Sequence, residues 1–158
     1  MTAAGGAGAT DPLVALVFSE IAMTDQLLRN RLARALPRGM ELSQFLVLNH
    51  LAQIGHERSP AQLAHVLHVT RGAMTNTLSR LEGAGHIHVR PDWDDGRRKF
   101  VGISPAGRTA RDAALDAITP VLEAAVAGVG PERLRQILPV LRELRQRLDR
   151  EETPQRKA

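Results

Sequence analysis

A charged turn in the middle of the chain has the composition of a nucleic-acid contact. Residues 90–99 (RPDWDDGRRK) mix three acids with four bases. The consecutive bases Arg97, Arg98 and Lys99 suit the narrow, strongly negative minor groove of duplex DNA. Asp95, two residues before Arg97, is placed to hold that guanidinium in one orientation. The alternative is an ordinary charged and soluble turn.

A second polar set lies on a predicted helix over residues 70–82, which Thr70 caps. Met74, Leu78 and Leu81 form its apolar stripe at helical spacing. The other side carries groups that read or grip DNA: Arg bridges two acceptors on guanine, Asn pairs with adenine, and Ser or Thr reaches a phosphate or base edge. These candidate contacts are Arg71, Thr75, Asn76, Ser79 and Arg80. The alternative is the exposed polar face that any surface helix has.

The segment before this helix is a third candidate contact. Ser59-Pro60 has the form of a helix start, with a capping residue followed by proline. The free N–H groups near Ser59 suit a phosphate, and Gln62 lies in the same first turn. A plain capping serine is the alternative.

The elements that position these residues follow from periodicity and from turn residues. Apolar spacing predicts helices over about residues 12–36, 42–55, 59–67 and 70–82, and then over 105–127 and 130–150. Alternation predicts short strands around residues 87–89 and 100–103. The fold class is therefore mostly α with a small antiparallel β-hairpin. Two short helices with a tight turn, followed by a basic hairpin, predict a winged helix-turn-helix.

The same pattern predicts a division of the chain by role. Residues 1–10 are predicted to be disordered and 151–158 to be a flexible tail. Residues 40–104 are predicted to form the DNA-binding lobe. Residues 11–39 and 105–150 are predicted dimerisation helices, because their long apolar stripes exceed any obvious core within the chain. Packing of these helices against each other within one chain is the alternative.

Charge and composition narrow the class of function. The chain has 158 residues and a net charge of +4, and residues 58–111 alone contain nine Arg/Lys and four Asp/Glu. A basic block of this kind is expected of a polyanion-binding surface. Cysteine is absent, which excludes thiol redox sensing, and aromatics make up 3% of the chain, too few for a single-strand stacking platform. Without a signal peptide or a long apolar run, we expect a cytoplasmic protein with no membrane partner.

Neither catalysis nor metal binding is expected. The sequence has no Gly-x-Ser-x-Gly, no His-Glu-x-x-His and no phosphate-cradling glycine loop, so we predict no enzyme, no catalytic residue and no cofactor. The histidine pairs at 65/68 and 86/88 lack obvious carboxylate partners for zinc. His50 and Asn49 lie on a core-lining helix, where a satisfied polar group is the simpler interpretation. The ligand-binding residues of any effector are not identified.

The motifs together resemble a known family. The run Asp92-x-x-Asp95-x-Arg97-x-x-x-Val101-x-Ile103-Ser104-x-x-Gly107 is similar to the wing signature of the MarR family of bacterial transcription regulators. The family usually has Leu-Thr in place of Ile103-Ser104, and often Pro in place of Trp93. Residues 59–85 and the order of helices over about residues 12–150 also fit the family pattern.

The resemblance implies a function in more detail than the residues do. It implies an obligate homodimer on a palindromic operator of duplex DNA, with helix 70–82 in the major groove. It places Arg97 in the minor groove, braced by Asp95. It also implies a small, often aromatic or phenolic effector that relieves repression. We therefore expect a ligand-released, sequence-specific repressor; the alternatives are a nonspecific architectural DNA-binding protein or a metal-responsive regulator.

Overall fold

A computed structural model describes residues 11–152, with side chains described for 11–150. The predicted disordered start, 1–10, and most of the predicted tail, 153–158, lie outside the described residues. The elements are α1 (Pro12–Ala35), α2 (Leu42–Ile54), α3 (Pro60–Val66), α4 (Arg71–Gly83), β1 (Ile87–Pro91), β2 (Lys99–Ile103), α5 (Pro105–Val126) and α6 (Pro131–Glu152). The predicted fold class, a mostly helical chain with a two-stranded antiparallel hairpin, is confirmed.

The helices begin where capping chemistry predicts. The Asp11 carboxylate accepts a hydrogen bond from the Leu13 amide, and Thr70 accepts one from the Ala73 amide. Each satisfies an amide that the helix itself leaves unpaired. Gly55 ends α2 with φ +70°, a left-handed conformation that glycine adopts without a steric cost.

Two helices contain a proline in their interior. Pro120 lies within α5 and Pro139 lies within α6. Each proline removes one backbone hydrogen bond from its helix.

The winged lobe has its own apolar core, built from α2, α3, α4 and the hairpin. β1 and β2 pair antiparallel with Val89 opposite Val101. Arg58, between α2 and α3, adds a short bridge to the edge of β2 through two backbone hydrogen bonds with Val101. The core residues with almost no exposure are Val47, Leu48, Leu51, Leu63, Met74, Leu81 and Val101. The hairpin is thereby attached directly to the helices that it flanks.

The hairpin is also anchored where it returns to helix. The Ser104 hydroxyl donates to the Gly85 carbonyl at 2.6 Å and accepts from the Gly107 amide at 3.0 Å. A Cβ at position 107 would collide with the carbonyl of His86, so only glycine lets α5 begin this close to β1. This contact explains the Ser-x-x-Gly part of the sequence motif.

A second apolar cluster joins the end of α1 to α2 and α5. Its buried members are Leu32, Leu36, Phe45, Ala114 and Ile118. Most of the large apolar side chains nearer the start of α1 are exposed instead, including Leu13, Leu16, Phe18, Met23 and Leu27.

The chain divides into two compact units, Met1–Val121 and Leu122–Ala158. The second unit contains the end of α5 and the whole of α6. Among the described side chains of α6 none is buried, and Ile137, Leu138, Val140, Leu141 and Leu148 are exposed. Within residues 11–152 no single helix is long and apolar enough to cross a membrane; α5 and α6 meet the length and composition test only jointly, as a bent pair.

Candidate nucleic-acid interface

A groove of about 680 Å³ lies between α3, α4 and the hairpin. Its lining brings together residues from three separate parts of the sequence: Ser59, Pro60, Ala61, Gln62, Arg71, Thr75, Arg97, Arg98, Lys99 and Phe100. Seven of these are predicted DNA contacts. Four carry positive charge and none is acidic, so the groove concentrates the basic character of the central block on one surface.

The α3 side of the groove is built by reciprocal capping. The Ser59 hydroxyl accepts a hydrogen bond from the backbone N–H of Gln62 at 3.2 Å. In return, the Gln62 side-chain oxygen accepts one from the backbone N–H of Ser59 at 2.9 Å. This arrangement occupies two of the N–H groups that we expected to face a phosphate. The Gln62 side-chain nitrogen keeps two donors for an anion.

The α4 side of the groove carries Arg71 and Thr75. The Thr75 hydroxyl donates to the Arg71 carbonyl at 2.9 Å, which leaves its lone pairs as acceptors. Asn76 and Ser79 do not line the groove. They follow Thr75 by one and four residues and are exposed on the outward side of α4. Thr70 acts as the α4 cap and does not line the groove.

Arg80 has a different neighbour from the one that the sequence suggests. Its guanidinium forms an ion pair with the carboxylate of Glu41, the residue that precedes α2. Both side chains are more than half exposed, so the pair is worth little in free energy. In this structure Arg80 therefore faces the start of α2 and lies outside the groove.

The hairpin turn corrects one expected contact. In the described residues the Asp95 carboxylate forms no ion pair with the Arg97 guanidinium; it accepts the backbone N–H of Arg97 at 3.1 Å. The Arg98 N–H donates to the Asp95 carbonyl at 2.8 Å, and the Asp92 N–H donates to the Arg98 carbonyl at 2.9 Å. This is an Asx turn, in which the aspartate side chain accepts the backbone N–H of the residue two positions later. Asp95 thus fixes the backbone of the turn.

The contacts of Arg90 at the base of the hairpin were not predicted from the sequence. The Arg90 guanidinium lies 5.0 Å from the Phe100 ring centroid and 5.9 Å from that of Trp93, at cation–π distances. The Glu57 carboxylate accepts from Arg90 Nε at 2.9 and 3.1 Å. These hydrogen bonds lower the pKa of Glu57, against a smaller opposing effect of burial, and His88 adds a weaker contact at 3.3 Å. No spacing signal could indicate a partner 33 residues away.

Comparison with known proteins finds a family that the middle of the chain resembles. Residues 38–98 match the model described as MarR family, a segment that includes α3, α4 and the basic turn up to Arg98. The middle of the chain is therefore similar to the MarR family. The transcriptional activatory protein BadR of Rhodopseudomonas palustris is 33% identical over 72 residues. That match covers 44% of this chain, and the chain spans only 41% of the length of BadR.

Solved structures of MarR-family regulators share the fold. A point mutant of Escherichia coli MarR, complexed with operator DNA, is 20% identical with a TM-score of 0.75, over 87% of this chain and 99% of that one. Bordetella bronchiseptica BpsR, whose DNA binding is regulated by 6-hydroxynicotinic acid, is 19% identical with a TM-score of 0.74, over 82% and 98%. Proteins of this family are transcription regulators rather than enzymes.

The histidines do not assemble a metal site among the described residues. No group of three or more His, Asp or Glu side chains there is placed to hold a metal ion. His88 contacts Glu57, and His68 lies in the turn between α3 and α4 with φ +52°. The histidine pairs at 65/68 and 86/88 therefore do not combine into one site.

Two buried nitrogens near the end of α2 have no hydrogen-bond partner within the described part of the chain. They are Nε2 of His50 and Nε of Arg58. Burial lowers the pKa of His50, and the charge of Arg58 and then of His56 lowers it further. An unpaired buried polar atom costs free energy, and a bound anion would satisfy the Arg58 donor, together with Nε2 of His50 in the tautomer that is protonated there. Arg58 has no sequence signal for this role.

Proposed function

We propose that this chain is a MarR-family transcriptional regulator of the cytoplasm that binds duplex DNA sequence-specifically. The observation that carries the proposal is the groove, where Arg71, Arg97, Arg98 and Lys99 line one continuous surface with no acid among them. Such a surface accepts a sugar–phosphate backbone, and neutralising phosphates releases counterions, which makes binding salt-dependent.

Sequence reading is assigned to groups that flank the groove. Asn76 and Ser79 are exposed beside Thr75 on α4, where a helix in the major groove presents side chains to base edges. Arg97, at the end of the braced turn, enters the adjacent minor groove. Arg80 can contact DNA only if its ion pair with Glu41 breaks. It is therefore the predicted contact with the least support.

The proposed functional unit is a homodimer on a palindromic operator. α1 and α6 expose large apolar side chains along their lengths, and the described residues of α6 bury none of them. An apolar stripe on an amphipathic helix is stabilised by burial, and a second copy supplies an equivalent stripe. Two lobes related by twofold symmetry would then read two half-sites about one helical turn apart.

The proposed effector is a small aromatic acid. Nε of Arg58 offers an unpaired donor to a carboxylate, and Nε2 of His50, which is also unpaired, offers a second in the tautomer that carries its proton on Nε2. BpsR, a relative in fold, is regulated by 6-hydroxynicotinic acid, which is such a molecule. A thermal-shift titration with 6-hydroxynicotinate tests this: stabilisation of the wild type but not of Arg58→Gln supports the site, and equal shifts in both proteins contradict it.

Repression is the direction of regulation that the resemblance implies. BadR is named an activator, so a relative with the opposite direction exists. A reporter gene under the chain's own promoter decides between them. Lower expression when the protein is supplied supports repression, and higher expression assigns it to activation.

The test of DNA binding compares two duplexes in a fluorescence anisotropy titration. One is the region upstream of the protein's own gene, and the other has the same base composition in shuffled order. We expect binding to the upstream duplex to be tighter by at least about 1000-fold at physiological salt. Equal affinity for both would favour the alternative of an architectural DNA-binding protein, and a requirement for added zinc would favour a metal-responsive regulator.

A further inference from the structure

The hairpin turn presents an aromatic ring that the groove does not use. Trp93 is 85% exposed, and it does not line the groove. It is the one tryptophan of the chain. Single exposed apolar residues are common on protein surfaces, so exposure by itself assigns no role. The surroundings of Trp93 set it apart from the other exposed apolar side chains.

The first distinguishing observation is that Trp93 is supported on one side. The Arg90 guanidinium lies 5.9 Å from its ring centroid and is itself held by Glu57. The Asp94 N–H donates to the Asp92 carboxylate at 3.1 Å, which fixes the backbone on both sides of Trp93. A ring presented this way loses little conformational entropy when another surface covers it.

The second observation is that Trp93 and Arg97 belong to the same turn. In the hairpin Pro91 pairs with Lys99, and the Asp92 N–H donates to the Arg98 carbonyl at 2.9 Å. Going from this pair towards the tip of the hairpin, the next residues on the two arms are Trp93 and Arg97. Trp93 and Arg97 therefore bound the same tip of the hairpin, residues 93–97, so a surface that covers this tip can contact both.

We propose that the Trp93 indole is a second DNA contact of the turn, packing against the sugar wall of the minor groove beside Arg97. The inference rests on the proposed DNA binding. DNA is the favoured occupant because the three consecutive cations of the turn continue from this tip into the basic groove. The Asp92 and Asp95 carboxylates each accept a backbone N–H within the turn, so they are directed at the loop itself.

The contact has a signature that differs from that of a cation. Packing of an aromatic ring on deoxyribose is apolar and releases no counterions, and sugars carry no sequence information. Trp93→Ala should therefore weaken binding roughly threefold to tenfold on operator and shuffled duplex alike, without changing the salt dependence. Trp93→Phe keeps an aromatic ring and should recover most of the affinity. Because the side chain is exposed, both variants should melt like the wild type.

The experiment uses the tryptophan as its own probe. The chain has one Trp and no Tyr, so emission excited at the red edge of the band reports position 93 alone. Duplex is titrated while Trp emission and acrylamide quenching are followed, and the anisotropy of an end-labelled duplex is measured in parallel. We expect a blue shift and protection from acrylamide that saturate together with the anisotropy.

The outcomes separate this inference from the proposed function. Saturating anisotropy with unchanged emission and unchanged acrylamide quenching overturns the Trp93 contact and leaves DNA binding intact. No anisotropy change with any duplex defeats the DNA-binding proposal itself. Protection of Trp93 that follows protein concentration without DNA assigns the ring to an interface between copies and overturns the inference.

Discussion

The carboxylate of Glu57 clasps the guanidinium of Arg90 at the base of the hairpin, with Oε2 2.9 Å from Nε and 2.6 Å from Nη2. This pair links the segment before α3 to β1, so the two sides of the basic groove share one support. Arg90 in turn contacts Phe100, which lines the groove. The orientation of the cationic turn therefore depends on an acid that itself lies outside the groove.

Glu57→Gln should loosen the hairpin and weaken DNA binding. The substitution keeps the shape but removes the charge that strengthens the hydrogen bonds to Arg90. The two side chains are 27% and 36% exposed, so we expect a loss of only about 1 kcal/mol, or about 3 °C in melting temperature. Calorimetry and anisotropy measure the two effects. Unchanged affinity in a folded variant would contradict the support role.

The same pair predicts an acid dependence of stability. Arg90 holds the folded-state pKa of Glu57 below its ordinary value of 4.5, so the contribution is present above pH 4.5 and is lost as pH falls through the lowered pKa. The melting temperatures of wild type and Glu57→Gln should therefore differ most near neutral pH and converge as the pH falls through the lowered pKa of Glu57. A constant difference across that range would show that the charge is not the cause.

His50 predicts a second pH dependence in a different window. Burial, reinforced by Arg58, lowers its folded-state pKa below the ordinary value of 6.5, so the unfolded chain binds the proton more readily. As far as His50 is concerned, the free energy of unfolding is at its full value above pH 6.5 and declines as the pH falls below it. His50→Gln, which does not titrate, should reduce the decline in melting temperature between about pH 7.5 and 5.5. Parallel profiles for the two proteins would argue against this account.

Asn76→Ala tests sequence reading by α4. Loss of a bidentate contact with adenine should cost about 1–3 kcal/mol on the operator and little on shuffled DNA. Competition titrations with both duplexes measure this difference. An equal loss on both would make Asn76 a backbone contact.

Leu138→Glu tests the role of α6. A charge within an exposed apolar stripe should prevent a second copy from covering it, and sedimentation should then show monomer where the wild type shows dimer. Gln136→Glu adds the same charge to the same helix away from the predicted stripe and is the control. Identical sedimentation of all three proteins would contradict the proposed interface.

Local sequence signals predicted most of the fold. Ser59, Thr70 and the apolar stripe of α4 define elements that the structure reproduces within a few residues, because caps and periodicity act between near neighbours. Seven of the twelve predicted contacts meet in one groove. The Glu57–Arg90 and Glu41–Arg80 pairs and the Arg58–Val101 bridge were beyond prediction, since each joins distant parts of the chain. The assumed Asp95–Arg97 side-chain contact failed because the carboxylate satisfies the nearer backbone amide.

The most direct test of the DNA interface is the salt dependence of operator binding by Arg97→Ala. Arg34→Ala, which removes an exposed charge from α1 outside the groove, is the matched control. Anisotropy titrations between about 50 and 200 mM salt should show weaker binding for Arg97→Ala and a log–log slope shallower by about 0.9, with the control unchanged. Equal affinity and equal slope for Arg97→Ala and wild type would contradict the assignment of the groove and its turn to DNA.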